Sequence, residues 1–361
     1  MHESLLRWAA PEPTVSVPAP ALSFDPGPPG LLTAADYQPP RWLRNAHLQS
    51  MLSSSKLRLR RGQELLAATG ARHEELIVDA GEGVRLQAWH STIEGRPARG
   101  MALLLHGWEG SAESSYMRMT AARMLAEGFD VVRLNFRDHG NTHHLNPGIF
   151  HSNRIEEVVC AAADIARRWP DLPLVAAGYS LGGNFVLRLA LRAPDAGIPL
   201  QRIASVCPVL DPGLTMDSIE NGPAMYDWYF RRKWAGSLRR KRDLYPDLSD
   251  WDERVLRLDI RALTAWLVEH HTDYGSLQAY FDGYSIAGER LAGLQVPADI
   301  LMAKDDPVIP FVTFNDWHLP RSARLETAEW GGHCGFLENW RGDGFSERWV
   351  AQHLAQAALP V

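Results

Sequence analysis

The chain has 361 residues, 45% hydrophobic and 22% charged, a size and balance that suit one large α/β domain carrying an insertion. A formal net charge of −6 gives no basic footprint for nucleic acid. Three cysteines, Cys160, Cys207 and Cys334, make no disulfide framework, and no apolar run approaches the roughly 20 residues of a membrane span.

Residues 1–40 are proline-rich from Pro11 to Pro40 and read as an extended N-terminal arm. The first residues lack a basic stretch followed by a sustained apolar core, so no signal peptide is expected, and a soluble, cytoplasmic protein is predicted. Residues 39–50, from Pro39 through Trp42 and His47 to Ser50, are denser in apolar and aromatic side chains and read as the anchor of that arm, either by packing alone or as a segment near the mouth of the site. From residue 72 the pattern becomes regular. Glu74 to Val78 and Val84 to His90 flank Gly81-Glu82-Gly83 as a hairpin. Met101 to Leu105 is a continuous apolar run, as expected of a strand buried on both faces. A helix is predicted over Tyr116–Glu127, closed by Gly128, followed by a strand over Asp130–Phe136. A histidine-bearing loop, a helix over Ile155–Trp169, a strand from Leu174, a helix ending near Ala193 and a strand over Ile203–Val206 complete the series.

Strands alternating with helices at this spacing predict βαβ units and a mostly parallel sheet flanked by helices. Residues 211–295 interrupt the series with helical, Trp- and Tyr-rich sequence and read as a cap. Within it, Arg231-Arg232-Lys233 and Arg239 to Arg242 read as a solvated helix face. Strands over Ala298–Ala303 and Ala323–Thr327 then resume the core, and an amphipathic helix over residues 344–358 ends it. The division is therefore an arm over 1–40, a core over 41–210, a cap over 211–295 and the rest of the core over 296–361.

The chemistry centres on Gly178-Tyr179-Ser180-Leu181-Gly182, placed where a strand passes into a helix. A serine in such a strained turn needs small neighbours two residues to either side, and the following helix aims its N-terminal N–H groups at the reacting centre. Serine is a weak nucleophile without a base, and the base needs an acid to orient it. Lys304-Asp305-Asp306-Pro307 follows one later strand and Gly331-Gly332-His333 the next, which is the required order. His333 is the candidate base. The spacing before Pro310 favours Asp306 as the acid, with Asp305 as the alternative. The oxyanion donors are expected to be the backbone N–H of Leu181 and, from the loop His106-Gly107-Trp108-Glu109-Gly110, that of Trp108. His106 is read as a brace for that loop. His139, His143, His144 and His151 cluster with Asp138 but match no metal-binding spacing, so no metal and no cofactor are expected. Cys334 is read as a packing residue.

Taken together, these pieces resemble the YheT-like branch of the α/β-hydrolase superfamily, which includes ABHD-type esterases and phospholipases and medium-chain ester synthases. The resemblance rests on Leu43 to Gln49, Leu105 to Ser111, Asn135-Phe136-Arg137, Gly178 to Asn184, Asp305-Asp306-Pro307 and Gly331 to Phe336. One departure is Arg137-Asp138-His139-Gly140, where the branch has Arg-Gly. The resemblance implies a triad of Ser180, Asp306 and His333 and hydrolysis of carboxylic esters. The expected partner is a small-molecule ester of short to medium acyl chain, turned over through an acyl-enzyme. Acyl transfer to an alcohol by the same residues, and a ligand-binding fold without turnover, are the alternatives. Monomer and dimer are both compatible with the sequence.

Overall fold

Parallel strands covered on both faces must be apolar at every position, and the five residues of Met101–Leu105 (β3) are all buried. In the computed structural model, which describes residues 30–358, that strand lies in the middle of an eight-stranded sheet. Before it come two helices, Ala46–Ser53 (α1) and Lys56–Ala68 (α2), and two strands, Arg72–Asp79 (β1) and Arg85–Thr92 (β2). After it the chain alternates through Ser115–Ala126 (α3), Asp130–Leu134 (β4), Ile155–Arg168 (α4), Leu174–Tyr179 (β5), Leu181–Arg192 (α5) and Leu200–Val206 (β6). Four helices follow: Pro212–Asn221 (α6), Ala224–Leu244 (α7), Ile260–His271 (α8) and Leu277–Tyr284 (α9). The strands Ala298–Ala303 (β7) and Ala323–Ala328 (β8) and the helix Phe345–Ala355 (α10) complete the order.

The sheet runs β1-β2-β4-β3-β5-β6-β7-β8. β1 and β2 pair antiparallel with each other, β2 pairs antiparallel with β4, and every later pairing is parallel. Gly81 and Gly83 take positive φ in the β1–β2 turn, which is why that hairpin carries two glycines. The protein has an α/β-hydrolase fold: a mostly parallel sheet with helices on both faces. All β5, β4 and β7 residues are buried, so the carboxyl ends of the parallel strands are set by a rigid core.

One expectation lies largely outside the described residues, and two features depart from the sequence-based reading. The arm over 1–40 falls mostly on residues 1–29, outside the described residues. The strand predicted to reach Phe136 stops at Leu134, because Asn135 and Phe136 turn to other partners. Asn135 Oδ1 accepts from the Ala112 N–H at 2.7 Å, and the Phe136 N–H donates to His106 Nε2 at 3.2 Å. The other is α2, which the sequence reading did not anticipate. Its Gly62 lets it lie against α3, since a Cβ there would sit 2.9 Å from the Ser115 carbonyl.

The helices α6 to α9 lie between β6 and β7 in the chain; α6 and α9 pack on the main core, while α7, α8 and the segment between them form a small second apolar cluster. Trp234, Leu238, Trp251, Leu256, Leu263 and Leu267 form it together with Ile149. The basic run on α7 is not solvated throughout. Lys241 is buried against Asp138 at 2.5 Å and donates to the carbonyls of His143 and Asn146.

Candidate active site

The turn from β5 to α5 forces Ser180 to φ 55° and ψ −119°, a left-handed conformation costly for a residue with a Cβ. Its neighbours show why only glycine fits. A Cβ on Gly178 would lie 2.0 Å from the Gly182 carbonyl oxygen, and one on Gly182 would lie 2.3 Å from that of Leu105. The strain is held by the Ser180 N–H donating to Val206 O at 2.8 Å and by its carbonyl accepting from Asn184 N–H at 3.1 Å.

The loop after β8 brings His333 over the serine. His333 Nε2 lies 2.8 Å from Ser180 Oγ, and Nδ1 lies 2.8 Å from Asp306 Oδ2. The other Asp306 oxygen accepts from the N–H groups of Val308 and Ile309 at 2.8 and 2.9 Å, so the carboxylate cannot rotate away. Asp305 points elsewhere and accepts from the Gly332 N–H at 2.9 Å, bracing the loop that carries the histidine. Burial pushes His333 down, but the Asp306 charge, with the Cys334 side chain and the Asp306 hydrogen bond, outweighs it and raises the imidazole to about 9. The Nδ1–H therefore donates to Asp306, and in the neutral ring Nε2 accepts from the serine hydroxyl.

The same loop is gripped by α1, from the segment that the sequence offers as one near the site mouth, although its contact with the histidine loop could not be read from the sequence. Ser50 Oγ accepts from the His333 N–H at 2.8 Å and donates to Ala46 O at 2.7 Å. Gly332 has φ 55°, and a Cβ there would meet the Ala46 carbonyl at 2.3 Å, so α1 lies directly on the loop. Gln49, fully buried, ties α1 to Tyr37, to the Leu43 carbonyl and to the Leu337 N–H. The signal was present in Asn45, which caps α1 by accepting from the Leu48 N–H at 2.9 Å.

The loop after β3 also lies against Ser180, where a Cβ on Gly107 would come within 3.2 Å of the serine Cβ. Trp108 and Leu181 line a cavity with Ser180, and neither N–H has an acceptor among the described residues. The loop is fastened by its neighbours. His106 Nδ1–H donates to Gly107 O at 2.7 Å, the Gly107 N–H donates to Tyr116 Oη at 3.0 Å, and the Glu109 N–H donates to His139 Nε2 at 3.2 Å. Burial holds His106 well below the usual imidazole range and lowers His139 to about 4, so both rings are neutral and can accept from backbone N–H groups. The histidine cluster thus includes a brace for this loop. His143 pairs with Ser237 at 2.8 Å, and among the described residues no group of three His, Cys, Asp or Glu side chains converges to hold a metal ion. Cys334 is buried, with its thiol 3.8 Å from the Val206 carbonyl.

Two chambers meet at Ser180. The first has an empty volume of about 750 Å³, part of it open to solvent, and runs between the core and the helices α6 to α9. Its walls are mainly apolar, with Met216, Ile219, Phe230, Trp234, Leu267 and Ile309 among them. The second, of about 1180 Å³ and also partly open, is bounded by the β3 loop, the start of α3 and α7, and is lined by serines and charged side chains. His333 borders this polar chamber.

A family profile described as serine aminopeptidase, S33 (Hydrolase_4) matches residues 96–314. YheT of Escherichia coli strain K12, an esterase candidate by name, is 26% identical over 309 residues, covering 84% of this chain and 88% of YheT. Phospholipase ABHD3 of Mus musculus is 25% identical over 243 residues, or 65% of this chain and 58% of ABHD3. Among solved structures, an esterase of Pyrobaculum calidifontis shares the fold with a TM-score of 0.52 at 17% identity, covering 89% of this chain and 98% of that one. A strand-turn-helix serine, the sheet order and the profile match agree: the chain belongs to the Hydrolase_4 (serine aminopeptidase, S33) family and, within the α/β hydrolases, to the YheT-like and ABHD group.

Proposed function

We propose that the protein is a serine carboxylesterase acting on esters of short to medium acyl chain. The observation that carries this reading is the line Ser180 Oγ, His333 Nε2, His333 Nδ1, Asp306 Oδ2, with 2.8 Å at each hydrogen bond, at the foot of an apolar chamber. Ser180 Oγ attacks the ester carbonyl as His333 takes its proton, and the N–H groups of Trp108 and Leu181 bind the oxyanion. His333 then gives that proton to the departing alkoxide, leaving an acyl-enzyme. Water attacks the acyl carbonyl with His333 again as base, and the proton returns to Ser180 as the acid leaves. Asp306 holds the ring in the tautomer that both steps use.

The apolar chamber supports an acyl chain in which no charge is carried, and residues 211–295 act as the cap that closes over it. The names of YheT and ABHD3 point the same way, toward esters. The test is hydrolysis of p-nitrophenyl acetate, butyrate and octanoate by the wild type and by Ser180→Ala. Loss of the nucleophile should cost about 10⁴- to 10⁶-fold in kcat. Turnover that survives the substitution, or a wild type that a fluorophosphonate does not label, would overturn the reading. Added ethanol separates hydrolysis from acyl transfer by whether the ethyl ester accumulates.

A further inference from the structure

The polar chamber contains a carboxyl group that the reaction above does not use. Four charged side chains border it: Glu109, Glu113, Arg118 and Lys233. Glu113 is already satisfied, being paired with Arg118 and, at 2.8 Å, with Arg133. Lys233 directs its Nζ to the Glu109 carbonyl oxygen at 3.1 Å. The Glu109 carboxyl, in contrast, takes part in no hydrogen bond and no ion pair among the described residues.

Its backbone is fixed as firmly as its side chain is unengaged. Glu109 has φ 55°, a conformation that persists only where the surroundings impose it. Here His139 takes its N–H, Lys233 takes its carbonyl, and Gly110 N–H closes back on Gly107 O at 3.0 Å. The residue is next to Trp108, which lines both chambers together with Ser180, so the β3 loop holds Glu109 beside the place where the two chambers meet. Burial pushes its carboxyl up to about 7, opposed by the Lys233 charge and reinforced by that of Asp138. The residue is only half-buried and its carboxyl oxygens are not among the buried atoms left without a partner, so the carboxyl is open and free to accept from a group that enters the chamber.

Resting on the esterase reading, we infer that Glu109 is a specificity-determining residue, whose carboxyl accepts a hydrogen bond from a hydroxyl on the alcohol portion of the ester. With the acyl chain in the apolar chamber, the alcohol portion lies in the polar one, because the scissile carbonyl must sit at Ser180 where the two meet. The surrounding groups favour a neutral hydroxylated alcohol over a charged one. The chamber wall carries hydroxyls from Ser53, Ser54, Ser111 and Ser114, and the Lys233 ammonium stands against a second cation there. A site built around a hydrogen bond discriminates strongly against an analogue that lacks it, since the polar group is then left unpaired.

Two octanoate esters test this: 2-hydroxyethyl octanoate and propyl octanoate, which differ by one hydroxyl in place of one methyl. The wild type should favour the hydroxyethyl ester by about 10-fold or more in kcat/KM. Glu109→Leu should bring the ratio to near one, and Glu109→Gln, which retains one acceptor and the wild-type shape, should give an intermediate ratio. An equal rate on both esters by the wild type, or a preference that survives Glu109→Leu, overturns the inference. So does octanoylcholine proving the preferred ester and losing most on Glu109→Gln, since recognition would then be of a cation. Should Glu109→Leu not fold, the wild-type ratio and the Glu109→Gln ratio still decide. Ser180→Ala run alongside keeps the two readings apart: turnover independent of Ser180 on both esters sinks the esterase reading, whatever the ratio.

Discussion

At the scale of single residues, the site is a set of groups whose charge states are set by what surrounds them. In the proposed reaction His333 must be neutral to accept a proton from Ser180, and in the folded protein it is raised from the ordinary 6.5 to about 9. The neutral fraction therefore grows as pH rises, and kcat/KM should climb between pH 6.5 and about 9 rather than level off below 7. Asp306→Asn removes the charge that raises the ring, so the rising limb should move to lower pH while kcat falls by about 10⁴-fold from the lost tautomer control. A pH–rate profile of both proteins checks each part. Glycine matters at this scale for the opposite reason, through what it lacks. Gly182→Ala would drive a methyl into the Leu105 carbonyl oxygen at 2.3 Å, a backbone atom that cannot swing aside. It should cost more than about 4 kcal/mol, the range reserved for severe steric faults, as read from denaturant midpoints. These residues were legible in the sequence because the elbow's steric demands and the order of nucleophile, acid and base are properties of short segments. In the sequence only the Asp-Pro-x-x-Pro pattern from Asp306 to Pro310 favours Asp306 over Asp305. The structure adds the reason, since one carboxylate faces His333 and the other faces the Gly332 N–H.

At the scale of elements, the strands and the helices that alternate with them could be read from periodicity and from glycine and proline punctuation. The helices α1 and α2 could not be read in this way, because their surroundings define them. α2 carries Leu57, Leu59, Leu65 and Leu66 among arginines, and its fully buried Arg58 is explained only by Glu347 on α10 and by the Gly335 carbonyl at 3.1 Å. A buried arginine has no signature in a hydrophobic pattern. The role of α1 was hidden for the same reason, since Ser50 is an unremarked serine until the loop after β8 arrives beside it. Ser50→Ala leaves the His333 N–H without its acceptor, at a cost of about 1–3 kcal/mol. It should lower kcat by about 10-fold through a misplaced imidazole, with KM nearly unchanged and partial recovery in Ser50→Thr. An effect on melting temperature alone would mean that α1 is only packing.

At the scale of the whole molecule, the chain closes on itself at the face that carries the site. The Arg58–Glu347 pair is buried on both sides, at 0% and 1% exposure, and removing one partner strands a charge. Glu347→Ala should destabilise the protein by about 3–5 kcal/mol, whereas Arg58→Met combined with Glu347→Leu should recover most of that loss, as followed by thermal unfolding. No helix among the described residues is long and apolar enough to cross a membrane. The contact between Ser50 and His333 joins residues 283 apart, and that between Gln49 and Leu337 residues 288 apart. The elbow can therefore form early, from β5, α5 and their neighbours, while the imidazole reaches its station only when α1 and the loop after β8 have met. Contacts of such long sequence separation form late, because their loop-closure entropy must be met first. On refolding from denaturant, secondary structure should return before catalytic competence, and a nascent chain released short of residue 333 would carry a shaped nucleophile with no means of activating it.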